Sequence, residues 1–282
     1  MIIDSTDNNL RGTQFMPIDC RNVMDDLDAS AAMVADTPYL GLHIPQKPWM
    51  FTSEGLNEGR HPIPPGSVVG GLYDALKQDT DAELLLLDKE DAFFHTRLYY
   101  LFQLYGFHAM LWNDACENLK DSGLTLLEHT PSFPDEVDES REVQPPDVSM
   151  LATLEDVEHA VGIDDVLLID VRAHNRYLGD TEPIDFKKGH IPGAVNIPYS
   201  DVFESGRLNI TSLEHLRPFL SEFRELIVYC GSGMSATPPY YVLESMDLPV
   251  RLYGGSFSEW IRHHDVETGV STMHERMAKF EG

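Results

Sequence analysis

Four short pieces of this chain occur twice, in the same order and at nearly the same intervals, and this duplication restricts the possible folds more than any other feature. Pro17-Ile18-Asp19-Cys20-Arg21 returns as Leu168-Ile169-Asp170-Val171-Arg172, an apolar stretch ending in Asp-x-Arg. Leu42-His43-Ile44-Pro45 returns as Gly189-His190-Ile191-Pro192, and Leu84-Leu85-Leu86-Leu87-Asp88 as Leu226-Ile227-Val228-Tyr229-Cys230. Met110-Leu111-Trp112-Asn113 answers Arg251-Leu252-Tyr253-Gly254. The intervals are 24, 45 and 24 residues in the first copy and 20, 40 and 23 in the second. Short apolar strands recur in any α/β protein, but colinear His-Ile-Pro pieces do not. Between the copies, residues 128–147 hold Pro131, Pro134, Pro145 and Pro146 among acidic residues, which is linker composition. The chain therefore reads as an N-terminal domain 1–127, a linker 128–147 and a C-terminal domain 148–282. Within each copy, apolar strands alternate with helix-length segments such as 93–105 and 212–223, the pattern of βα units around a parallel sheet. The fold class is α/β, with each domain a parallel sheet flanked by helices.

With 282 residues, 42% of them hydrophobic and 24% charged, the chain can bury two cores. No apolar run approaches the ~20 residues a spanning helix needs. The first residues are polar and carry Asp4 and Asp7, unlike a secretory signal, so a cytoplasmic location is expected. A formal charge of −27 argues against nucleic acid or an anionic membrane as partner, because such binding needs clustered Lys and Arg. It also means that a site for a small anion must gather positive charge locally. Cys20, Cys116 and Cys230 are too few for a disulfide framework, and no Cys/His spacing resembles a zinc site. The His263-His264 pair reads as solvated surface, so neither a metal nor another cofactor is assigned.

Cys230 is the cysteine placed for chemistry. It ends an apolar strand and is followed by Gly231-Ser232-Gly233-Met234-Ser235, with a helix expected to start near Thr237 because Pro238-Pro239 are tolerated in a first turn. Glycines let such a loop fold into a cradle of N–H groups, and the helix end adds roughly half a positive charge. A thiolate or a persulfide anion is stabilised there, which makes Gly231, Gly233, Met234 and Ser235 candidate binding positions. Cysteine phosphatases place an arginine six residues after the cysteine to grip their oxyanion. Here that position is Ala236, so the loop is too short and lacks the guanidinium.

The pieces Leu168-Ile169-Asp170-Val171-Arg172, Gly189-His190-Ile191-Pro192-Gly193-Ala194-Val195-Asn196-Ile197-Pro198, Tyr229-Cys230-Gly231-Ser232-Gly233 and Gly254-Gly255-Ser256-Phe257-Ser258-Glu259-Trp260 together resemble the tandem-domain rhodanese family, the thiosulfate and 3-mercaptopyruvate sulfurtransferases. The resemblance spans almost the whole chain. It implies two rhodanese-like domains, the first without a nucleophile because Asp88 stands at its place. It implies an active site between the domains and a Cys230 persulfide formed and discharged by double displacement. The acceptor would be a thiol or cyanide, with a thioredoxin-like reductant among the thiols. Arg176 matches the family arginine that binds the donor's anionic group, and Arg172 at the strand end is grouped with it as substrate-binding.

Donor identity divides that family. Gly231-Ser232-Gly233 resembles the mercaptopyruvate enzymes, in which Ser232 would assist release with a histidine behind it; His43 is the residue assigned, with Asp36 as its acidic partner. Those enzymes carry a second arginine nine residues beyond the first, and here Asp185 occupies that place. A thiosulfate sulfurtransferase and a catalytically weak sulfur-relay protein remain alternatives. His190 reads as a scaffold residue, and Trp260 and Tyr253 as core.

Overall fold

The computed structural model describes residues 1–4, 12–20, 42–43, 52, 54–78, 80–89, 93–127 and 140–280. Asp36, the linker residues 128–139 and the side chain of His43 lie outside that set. The chain divides into two compact units, one formed by Met1–Phe51 and Pro64–Pro146, the other by Thr52–Ile63 and Asp147–Gly282. Segment Thr52–Ile63 is thus grouped with the C-terminal part.

In the first unit the strands are β1 (Ile2–Ile3), β2 (Gln14–Asp19), β3 (Leu42–His43), β4 (Glu83–Leu87), β5 (Met110–Trp112) and β6 (Thr125–Leu126). They pair in parallel in the order β1-β5-β4-β2-β3, with β6 also on β2. Helices α1 (Gly66–Lys77) and α2 (Phe94–Leu104) supply crossovers. Strand β4 is Glu-Leu-Leu-Leu-Leu with all four leucines fully buried, because a central parallel strand is covered on both faces and alternation is lost.

The second unit contains β7 (Leu151–Ala152), α3 (Leu154–Ala160), β8 (Val166–Asp170), α4 (His174–Leu178), β9 (Val195–Asn196), the hairpin β10 (Phe203–Glu204) and β11 (Arg207–Leu208), α5 (Arg217–Leu220), β12 (Glu225–Tyr229), α6 (Thr237–Ser245), β13 (Val250–Tyr253), α7 (Ser256–His263) and α8 (Thr272–Met277). Its parallel sheet runs β7-β13-β12-β8-β9, which repeats the β1-β5-β4-β2-β3 order of the first unit when the separate β10-β11 hairpin is left out of the count. The stretch 212–223, expected as one helix, breaks into a 3-10 turn at Glu214–Leu216 and the four-residue α5, where Pro218 stands in the first turn. Thr153 caps α3 in a reciprocal capping box with Asp156.

Leu168, Ile227, Tyr229, Tyr253, Phe257 and Trp260 form the core of the second unit. Truncating one of these large residues to alanine costs about 2–5 kcal/mol, so the sheet end that carries Cys230 is held rigidly. Tyr229 also accepts the Ile191 N–H through its hydroxyl at 3.0 Å, which ties the His-Ile-Pro turn to the strand preceding the cysteine. His190 is fully buried, stacked on Tyr177 at 3.9 Å, with its Nδ1 at 2.8 Å from the Tyr177 carbonyl; burial lowers its pKa. Among the described residues no helix is long and apolar enough to cross a membrane.

Candidate active site

Strand β12 lies between β8 and β13, and the register sets Tyr229 beside Asp170 and Val228 beside Ile169 and Leu252. Cys230 and the Asp170-Val171-Arg172 turn therefore leave the sheet at the same carboxyl edge, where open α/β sheets place their ligands. Cys230 is 1% exposed. Its N–H donates to Ser256 Oγ at 3.2 Å, its carbonyl accepts the Phe257 N–H at 3.0 Å, and the Gly231 carbonyl accepts the Ser258 N–H at 2.9 Å. The first turn of α7 thus grips both ends of the Cys230 peptide. Ser256 has φ +54°, a left-handed conformation that costs a residue with a Cβ about 1–3 kcal/mol. Its hydroxyl, donated to the Tyr253 carbonyl at 2.8 Å, is what that conformation aims at Cys230.

The loop then turns at Gly233, with φ +77°, and enters α6 through Thr237, whose N–H and Oγ1 both donate to the Met234 carbonyl. The N–H groups of Gly231, Ser232, Met234 and Ser235 donate no hydrogen bond among the described residues. Unit one shows what this loop geometry does with an anion. Asp88 follows β4 as Cys230 follows β12, and its carboxylate accepts the N–H groups of Lys89 at 2.8 Å, Phe94 at 2.8 Å and His95 at 3.1 Å at the start of α2. That carboxylate is a built-in anion at a helix N-terminus. Cys20 and Cys116 are buried, and burial pushes the Cys20 thiol up, so it packs as an apolar group.

Arg172, Arg176 and Arg60 are joined by three carboxylates into one alternating series. Arg172 bonds Asp170 through Nε at 3.0 Å and Nη2 at 2.6 Å, Glu182 through Nη1 at 3.1 Å, and the Gly189 carbonyl through Nη2 at 2.6 Å. It also lies 3.7 Å over the Phe257 ring. Every side-chain nitrogen of this 2%-exposed residue is engaged by protein. Burial alone would lower its pKa, but the charge and hydrogen bonds of Asp170, with Tyr229 and Glu182, raise it instead. Arg176 bonds Glu182 through Nε at 3.0 Å and Nη2 at 2.8 Å, and Asp185 through Nη2 at 3.3 Å. Burial would raise the Glu182 carboxyl, but Arg176 and the Ile184 and Asp185 amides hold it below the usual range. Asp185 then pairs with Arg60.

Arg60 and His61 were not among the residues singled out from the sequence. They arrive on segment Thr52–Ile63, which docks on α7: the Glu58 N–H donates to Glu259 Oε1 at 2.6 Å and the Arg60 N–H to Ser258 Oγ at 2.9 Å. Gly59 passes so close that a Cβ there would meet the Gly255 carbonyl oxygen at 2.5 Å, so a glycine at position 59 permits the approach. The result is that His61 Nδ1 lies 2.7 Å from Ser232 Oγ. Of the loop residues, Gly231 lies beside Arg176, a Cβ on it standing 3.6 Å from Arg176 Nη2, and the histidine at Ser232 is His61. His43, assigned there from the sequence, ends β3 in the first unit.

A "Rhodanese-like domain" family model matches residues 153–263, which hold the whole of this constellation except segment 52–63. A Pseudomonas aeruginosa protein named "Probable 3-mercaptopyruvate sulfurtransferase" is 29% identical over 86% of this chain and 88% of its own length. The "Thiosulfate sulfurtransferase" of Mus musculus is 28% identical over 74% of this chain and 73% of its own. Among solved structures, the 3-mercaptopyruvate sulfurtransferase of Leishmania major superposes with a TM-score of 0.66 at 19% identity, covering 92% of this chain and 74% of that one. Fold, sequence match and the Cys230 loop agree: residues 153–263 form a rhodanese-like domain, in a chain similar over most of its length to sulfurtransferases.

Proposed function

We propose that the donor is 3-mercaptopyruvate, and that the sulfur passes through a Cys230 persulfide to a thiol or cyanide. The observation that carries the donor assignment is the Ser232–His61 hydrogen bond, two residues from the nucleophile. In the first half-reaction the Cys230 thiolate attacks the donor sulfur; the S–S bond forms as the C–S bond breaks, and the electron pair leaves as the enolate of pyruvate. That enolate needs a proton, which Ser232 supplies as His61 Nδ1 returns one to it. In the second half-reaction the acceptor attacks the outer sulfur and restores the Cys230 thiolate. The loop amides stabilise the persulfide anion, as the α2 N-terminus stabilises Asp88. A reducing cytoplasmic setting suits a free Cys230, and a thioredoxin-like protein suits the acceptor role.

Thiosulfate is the second reading, favoured by Asp185 standing where a second arginine is expected. Sulfite, the leaving group from thiosulfate, needs no proton, so the Ser232–His61 pair separates the two. With 3-mercaptopyruvate, Ser232→Ala and His61→Ala are each expected to lower kcat by about 10²-fold or more. With thiosulfate the same variants are expected to change kcat little. Steady-state rates with both donors, on wild type and both variants, decide it: a wild-type preference for thiosulfate, or equal losses with both donors, overturns the mercaptopyruvate assignment. If neither small donor loads Cys230 but a protein persulfide does, the chain is a relay.

A further inference from the structure

We infer that Arg60 is the second donor-binding guanidinium of this site and determines its preference for a carboxylate-bearing donor. The inference rests on the proposed function for the donor's name, but not for the anion itself. The charged side chains around Gly231 form the linear series Asp170, Arg172, Glu182, Arg176, Asp185, Arg60, each paired with the next. Three positive and three negative groups cancel in sum, yet the series has two different ends. Its acidic end, Asp170, is fully buried and bonded in three places by Arg172. Its basic end, Arg60, has one carboxylate partner and a side chain that is 31% exposed, so the open charge of the series is positive and lies at Arg60.

That open end faces the nucleophile's loop. A Cβ built on Gly231, the residue after Cys230, would stand 3.0 Å from Arg60 Nη2, 3.6 Å from Arg176 Nη2 and 3.8 Å from Asp185 Oδ2. Two guanidinium groups thus meet over one glycine, bridged by one carboxylate that is 5% exposed and accepts from both. Asp185 fixes the separation of the pair without blocking either fully: Arg176 Nη1 and Arg60 Nη2 donate to no acceptor among the described residues. Two converging planar forks match the two oxygens of a carboxylate, with a geometry that an ammonium group would not reproduce. The absence of an arginine at position 185 is therefore compensated from another part of the chain, with Asp185 as the anchor of its replacement. This also answers how a protein of charge −27 presents a positive pocket: acidic residues hold arginines in place, and the last one is left over.

The test separates anion binding from sulfur transfer. The peptide containing Cys230 is followed by mass spectrometry during alkylation with iodoacetate, an anion, and with iodoacetamide, its neutral isostere. One charge-assisted hydrogen bond is worth about ten- to a hundredfold in binding. Arg60→Ala is expected to slow iodoacetate about tenfold or more while leaving the iodoacetamide rate within about twofold. Arg60→Lys keeps the charge and loses the fork, so it is expected to fall between. In steady state with 3-mercaptopyruvate, Arg60→Ala is expected to raise KM with little change in kcat, and the exchange variant Arg60→Asp/Asp185→Arg to recover part of the loss. An unchanged iodoacetate to iodoacetamide ratio in Arg60→Ala overturns the inference, as does a kcat loss with constant KM. If wild type transfers no sulfur from mercaptopyruvate but the alkylation ratio still falls in Arg60→Ala, the donor assignment fails and the role of Arg60 stands.

Discussion

Cys230→Ser is expected to lower sulfur transfer by about four orders of magnitude or more, from either donor, with the fold retained. Serine is close in volume and the Cys230 backbone bonds to Ser256 and Phe257 involve no sulfur, so circular dichroism and thermal unfolding should change little. An alcohol at this position is neither ionised at neutral pH nor able to carry a sulfane sulfur, so the residual rate is that of the donor and acceptor alone. The two other cysteines offer no bypass. Cys20 and Cys116 are buried in the first unit, Cys116 donating to the Asp88 carbonyl at 3.1 Å. Assaying pyruvate release with a thiol acceptor, and thiocyanate release from thiosulfate and cyanide, measures the loss for both donors.

Arg172→Ala is expected to have the largest effect on stability. The guanidinium holds two carboxylates, Asp170 and Glu182, whose side chains are 0% and 1% exposed. Removing one partner of a buried charge pair costs about 3–5 kcal/mol, because the remaining ion is left without compensation. For a unit of this size that is a fall of about 10 °C or more in Tm. The pH dependence has a definite sign. Glu182 has a depressed pKa in the folded state, so its contribution in the native protein is complete above the ordinary glutamate range and is lost as pH falls through the lowered value. In Arg172→Ala the penalty comes from ionised carboxylates, so the difference from wild type should be greatest near neutrality and shrink on acidification. Differential scanning calorimetry at pH 7 and pH 4.5 measures both. A Tm within 2 °C of wild type at pH 7 would contradict the positioning role, and Arg172 would then be free to bind donor.

The sequence made the two parallel sheets legible because strand pieces carry their own signature: Leu84 to Leu87 and Leu226 to Tyr229 are apolar runs of central parallel strands. The Cys230 loop was legible for a related reason, since its glycines, its serine and the helix at Thr237 are contiguous. What sequence could not supply was the arrival of Arg60 and His61. They lie 170 and 171 residues from Cys230 and Ser232, on a stretch without strand or helix periodicity, within the longer of the two His-to-nucleophile intervals. The only local signals were Gly59 before the pair and the proline after it. Repeat matching drew attention to His43 because it has a counterpart in the second copy, whereas His61 has none. A residue without a matching piece elsewhere in the sequence is invisible to a comparison of matching pieces. Arg172 was placed with the donor because Asp-x-Arg is part of the recognised pattern, and only the atoms show that Asp170, Glu182 and the Gly189 carbonyl already occupy it.

The most direct test of the central claim is the mass of the peptide containing Cys230 after the reduced protein is incubated with 3-mercaptopyruvate and no acceptor. One sulfur atom, about 32 Da, should appear on that peptide and disappear when a thiol or cyanide is added. If the peptide gains nothing from mercaptopyruvate or thiosulfate, or if the gain persists on the Cys230→Ser protein, the Cys230 persulfide is not the sulfur carrier.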